Sequence, residues 1–176
     1  MNSIKSLKIV IILFSLFLGT NVLAQQALPK DLLITLERSP CYGSCPFYKL
    51  TISANGKVTF EPKSISQDYK LVTGKTLKGS ITKDQLKQLI SEFEKINFFS
   101  LKDGYGKSWD YSPDENCPEI WTDASSAETA ITMNGKTKTV SHYHGCVGSN
   151  TLENLTKLED RIDEIVNTNQ WLVRSK

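Results

Sequence analysis

Apolar and polar positions alternate with a period of two across "LLITLER", residues 32–38, and the β-branched residues there add to the signal for a strand. In "FYKLTISANGKVTFEP", residues 47–62, Tyr48, Leu50 and Ile52 share one face, as do Val58 and Phe60 on the far side of a turn. A two-residue Asn55-Gly56 loop would set Ile52 opposite Thr59 and spoil the match. A three-residue loop, Ala54-Asn55-Gly56, pairs Ile52 with Val58 and Leu50 with Phe60, with Gly56 in the left-handed position. A further short strand is predicted around residues 69–72.

The period then changes. In "TKDQLKQLISEFEKINFF", residues 82–99, Leu86, Leu89, Ile90, Phe93 and Ile96 fall on one helical face, and Thr82 with Gln85 makes a capping box. Residues 100–119 hold Gly104, Gly106, Pro113 and Pro118 with several acids, and read as a long loop. A second Asn-Gly turn, Asn134-Gly135, has a strand on each side. A second helix follows over residues 151–167, with Leu152, Leu155, Leu158, Ile162, Ile165 and Val166 as its stripe and Asn150 with Glu153 as its cap. The two halves look alike, each a hairpin at Asn-Gly-Lys, a polar connection and an amphipathic helix. A diverged duplication and two common motifs used twice both account for this. The pattern predicts an α+β domain: an antiparallel β-sheet built from hairpins with two amphipathic helices packed on one face.

The N-terminus changes where this domain should work. Lys5 and Lys8 precede residues 9–18, all apolar except Ser15, and Val22-Leu23-Ala24 offers small residues for cleavage after Ala24. That is a secretory signal over residues 1–24, and a run of ten is too short for the ~20 apolar residues of a membrane anchor. Residues 25–176 then form one domain, exported to the periplasm or secreted, with no membrane insertion after cleavage. Without Lys5 and Lys8 the 21 basic residues become 19, equal to the 19 acids, so the charge balance gives no reason to expect nucleic acid as a partner.

Export changes the reading of the cysteines. Four cysteines in an exported chain read as disulfides. Cys41 and Cys45 lie four apart with Gly43 between them, which permits a local bridge. A continuous hairpin about Asn134-Gly135 would place Cys146 opposite Asp123, and the loop holding Cys117 can fold back towards it. The favoured pairs are Cys41–Cys45 and Cys117–Cys146; the crossed pairings, which would tie the first loop to the second half, stay open. "SPCYGSCP" is then a rigid, stapled loop that can present Arg38, Tyr42 and Gly43 to an envelope or extracellular partner.

Two other chemistries compete with this reading. His142 and His144 point to one face of an extended strand, and Cys146 would join them as a third zinc or copper ligand if the strand ran past Gly145. A thiol oxidoreductase usually needs C-x-x-C at a helix N-terminus, whereas here the spacing is longer and a strand follows Pro46. Asp110, Asp114, Glu115 and Asp123 offer carboxylates for a hydrolase, but spread along a polar segment they read as solvated loop acids. There is no G-x-S-x-G, Walker loop or H-E-x-x-H, and nothing calls for a cofactor. The residues favour a non-enzymatic, disulfide-stabilised binding or interaction module, with a metal-binding or thiol-redox protein as the alternative.

The run Pro40-Cys41-Tyr42-Gly43-Ser44-Cys45-Pro46, together with His142-Tyr143-His144-Gly145 before the second helix, resembles the bacterial family called domain of unknown function 6438. The similarity covers residues 33–171. It implies one exported domain and no particular activity.

Overall fold

A computed structural model describes residues 27–64, 69–71, 75–106 and 112–174. The predicted signal segment lies outside the described residues, as do Val72 and Asp110. The strands are β1 (Leu33–Arg38), β2 (Phe47–Ser53), β3 (Lys57–Ser64), β4 (Tyr69–Leu71), β5 (Leu77–Ser80), β6 (Gly104–Tyr105), β7 (Glu119–Ile120), β8 (Ser126–Met133), β9 (Lys136–Tyr143), β10 (Cys146–Val147) and β11 (Leu172–Arg174). The helices are α1 (Lys83–Lys95) and α2 (Asn150–Val166). Seven strands form one sheet in the order β5-β3-β2-β1-β8-β9-β6, antiparallel except where β6 joins β9. β7 pairs with β10, and β4 with β11, in two separate ribbons.

The first hairpin has the register that its apolar positions require. Ile52 faces Val58, Leu50 faces Phe60, and Gly56 sits at φ 78°. The second is a two-residue hairpin with Met133 opposite Lys136 and positive φ at both Asn134 and Gly135, as a type I′ turn requires. β1 lies between the two hairpins and pairs with both β2 and β8. Ile34 and Leu36 on β1, Leu50 and Ile52 on β2, Phe60 on β3 and Ile131 on β8 are fully buried on one face. The helices add Leu86, Leu89 and Phe93 from α1, and Leu155, Leu158 and Ile162 from α2, to the same core. Each such side chain contributes roughly 1.5–3 kcal/mol by leaving water. Ile90 and Ile96 are only partly buried, so the α1 stripe is narrower than its spacing suggests.

Thr82 and Gln85 form the capping box on α1: the Thr82 hydroxyl accepts from the Gln85 N–H, and the Gln85 side chain accepts from the Thr82 N–H. The second helix starts one residue earlier than its pattern suggests. Ser149, not Asn150, is the cap, and its Oγ accepts from the Leu152 N–H while Asn150 becomes the first helical residue. Both residue types cap well, so local chemistry did not separate them. The long loop is also less open than its composition implies. It supplies β6, whose Gly104 and Tyr105 align with Ser141 and His142. Two-residue strands carry no readable period, which is why β6 and β10 leave no mark in the sequence pattern.

Candidate functional site

The buried face of the sheet turns polar at one end. Cross-strand neighbours there run Tyr48 on β2, Arg38 on β1, Ala127 on β8, His142 on β9 and Tyr105 on β6. Arg38 follows Ile34 and Leu36 at a spacing of two, so the alternation that builds the core also carries a guanidinium inward. α2 brings Glu159 and Asp163, one helical turn apart, to this row.

Arg38 is the hub. Its Nε donates to Asp163 Oδ2 at 3.0 Å, and its Nη2 reaches Asp163 Oδ2 and Asp160 Oδ1, each at 2.9 Å. Glu159 Oε2 lies 3.8 Å from Nη1. Burial works against the charge on Arg38, but the carboxylate of Asp163 first, with Tyr48, Glu159 and Asp160, outweighs it and raises the guanidinium's pKa. The Tyr48 hydroxyl donates to Asp163 Oδ1 at 2.6 Å, and its own pKa is pushed up by burial and then by the charge of Asp163. Burial pushes the Asp163 carboxyl up as well, against the pull of Arg38 and the hydrogen bonds from Tyr48, Arg38 and Thr168.

Glu159 joins this hub to the two histidines. It is fully buried, with Oε1 3.1 Å from His142 Nδ1 and Oε2 2.7 Å from His144 Nε2. Burial alone would raise its pKa, yet the hydrogen bonds and charge of the two imidazoles hold the carboxyl below its ordinary value. An ionised carboxylate only accepts, so the ring nitrogens facing it carry protons. His144 Nδ1 meets the Ser125 hydroxyl at 2.8 Å, and the His144 N–H donates to the Ser125 carbonyl at 2.9 Å. His142 Nε2, on a side chain 1 % exposed, has no hydrogen-bond partner among the described residues. The two rings meet edge to face, 4.8 Å between centroids.

The cysteines pair as Cys41–Cys45 and Cys117–Cys146. Cys146 is therefore not a free thiolate beside the histidines, and the third donor facing them is Glu159. The strand ends at Tyr143, and a turn at His144-Gly145 breaks the line that would have carried Cys146 to the same face. Cys146 comes opposite Ile120 rather than Asp123, a three-residue shift taken up between Ile120 and Ser126. Gly145 is required there, because a Cβ would overlap the Trp121 carbonyl and the Tyr143 ring.

The stapled loop divides its candidate residues. Tyr42 is 88 % exposed, close to Gly43 at the loop tip, while Arg38 is turned inward with its side chain 14 % exposed. Carboxylates on α2 capture Arg38, so the loop does not present it. The Tyr42 N–H donates to the Asp123 carbonyl at 3.2 Å, which ties the loop to the segment bearing Trp121, itself 65 % exposed. Below the loop a cleft of about 300 Å³ is lined by Arg38, Ser39, Tyr48, Ser125, Asp160 and Asp163 with their neighbours. Of the described loop acids, Asp114 accepts from the N–H groups of Asn116 and Cys117, and Glu115 pairs with Lys102 at 2.7 Å.

Fold and site together define a disulfide-braced α+β domain with a buried guanidinium–carboxylate–imidazole network. A family model described as Domain of unknown function (DUF6438) matches residues 32–166, and the chain belongs to that family. The match ends with α2, short of Trp171. A comparison with curated proteins returns no match. Among the described residues no helix is long and apolar enough to cross a membrane.

Proposed function

We propose that this chain is a non-enzymatic binding module that works outside the cytoplasm, in the periplasm or as a secreted protein, on an envelope or extracellular partner. The observation that carries this reading is the pair Tyr42 and Trp121. Two large aromatics stand exposed on adjoining segments, one stapled by Cys41–Cys45 and joined to the other by a backbone hydrogen bond. A core would have buried such side chains. Rigid exposed aromatics are what a partner's apolar surface grips, because little conformational entropy is lost when they are covered. Two disulfides, and a signal-like segment ending at Ala24, support export.

A photo-crosslinking residue placed in turn at Tyr42, Trp121 and the exposed Thr139 tests the surface in the native host. Discrete adducts from the first two positions, and none from Thr139, are the expected result. Equal labelling at all three, or none, would refute this binding surface. Mass measurement of the exported protein should find Gln25 at its N-terminus, and a retained Lys5 and Lys8 would contradict cleavage.

A further inference from the structure

We propose that His142, His144 and Glu159 bind a divalent transition-metal ion, zinc by donor type, between the end of β9 and the middle of α2. This goes beyond the partner surface around Tyr42 and Trp121 and does not depend on it. Three observations lead to it.

One ligand atom from each residue lies within 4.8 Å of the other two. The imidazole-to-carboxylate separations are 3.1 and 2.7 Å. A tetrahedral ion with bonds of about 2 Å holds its ligands about 3.3 Å apart, so the two short pairs need to open by less than ~1 Å while the widest pair, at up to 4.8 Å, closes by about 1.5 Å. Two imidazoles and one carboxylate form a borderline donor set that suits zinc and leaves a fourth position open.

The second observation concerns the rings. His142 Nδ1 and His144 Nε2 both face the Glu159 carboxylate, so an ion bound between them would take the place of the protons shared there. His144 is supported on its far side: with zinc on Nε2, its proton resides on Nδ1 and the Ser125 hydroxyl accepts it. Such an outer hydrogen bond orients metal-bound histidines. The 17 % exposure of the His144 side chain gives the ion a way in.

Charge is the third. Glu159, Asp160 and Asp163 surround Arg38, while Tyr48 is held neutral. Three carboxylic groups thus crowd one guanidinium, an excess of acidic groups that a divalent cation offsets. Arg38 Nη1 lies 3.5 Å from His144 Nε2 and 3.8 Å from Glu159 Oε2, so the guanidinium has to swing towards Asp160 and Asp163 as an ion enters.

The test is calorimetric titration of zinc chloride into the mature protein with both disulfides intact. One saturable site per chain is expected. His144→Gln, which changes the most exposed of the three donors, should weaken binding at least ~100-fold with an unchanged far-UV spectrum, and Ser125→Ala about 10–100-fold. Cobalt provides a second readout that needs no variant: d–d bands without a thiolate charge-transfer band. Absence of saturable zinc binding by the wild type would overturn the site, as would full affinity in His144→Gln. A thiolate band would equally overturn this ligand set.

Discussion

Arg38 shows how a single residue can be read correctly by pattern and misread by context. Its place at the end of the β1 alternation puts it on the buried face, yet beside a proline- and cysteine-rich loop it looks like a group offered to a partner. What holds it inward is Asp163, 125 residues away in sequence. Breaking this partly buried cluster leaves charge without compensation. Arg38→Ala should cost about 3 kcal/mol, at the low end for a buried pair because Asp160 is exposed, measured by urea unfolding. Tyr48→Phe, which removes the donor to Asp163 Oδ1, should cost roughly 1.5–3 kcal/mol in the same assay. Stability equal to the wild type in both variants would show that the network contributes nothing to folding. Thr129 offers the opposite sign. Its hydroxyl is fully buried between Leu36 and Val140 with no partner among the described residues. Thr129→Val should raise stability by about 1 kcal/mol, and a loss would mean that the hydroxyl has a partner after all.

At the scale of elements, the hairpins and α1 were legible because each is specified locally. The apolar period, the Asn-Gly dipeptides and the capping box need no distant information. The second hairpin also has a distant restraint. Asp31 accepts from the N–H groups of Asn134 and Gly135, at 2.9 and 2.6 Å, and so clips the turn to the segment before β1. The Gly135 amide foremost holds its carboxyl below the ordinary value of 3.8. A lowered folded value means that this stabilisation is present above pH 3.8 and is lost as pH falls through the folded value. The stability difference between wild type and Asp31→Asn should therefore be constant near neutrality and shrink in acid. A difference that does not change with pH would remove the carboxylate's role. α2 is a mixed case. Its stripe was clear, but Glu159 and Asp163 fall on the same arc as Leu155 and Ile162, and acids on an apolar arc were the available sign of a polar centre.

For the whole molecule, the two disulfides do different work. Cys117–Cys146 closes 29 residues and fastens the β7–β10 ribbon, whereas Cys41–Cys45 closes four. In the chain-entropy model the first is worth about 3–4 kcal/mol and the second about 2. Replacing Cys117 and Cys146 together by serine should therefore lower stability more than replacing Cys41 and Cys45. The reverse order in thermal or urea unfolding would contradict that assignment. The shorter bridge matters for shape, because it stiffens the loop that carries Tyr42 next to the Trp121 segment.

The sequence by itself determined the strands and helices whose period is local, the register of the first hairpin, and a set of cysteines suited to cross-linking. Those features depend on neighbours within a few residues, so the order of residues is enough. Only the tertiary structure decided which donor faces the histidines. Glu159 takes the place foreseen for Cys146 because β9 stops at Tyr143, the chain turns through Gly145, and α2 lies back across the row that Arg38 and His142 share. A contact of that kind depends on where separate elements pack, and no spacing along the chain encodes it.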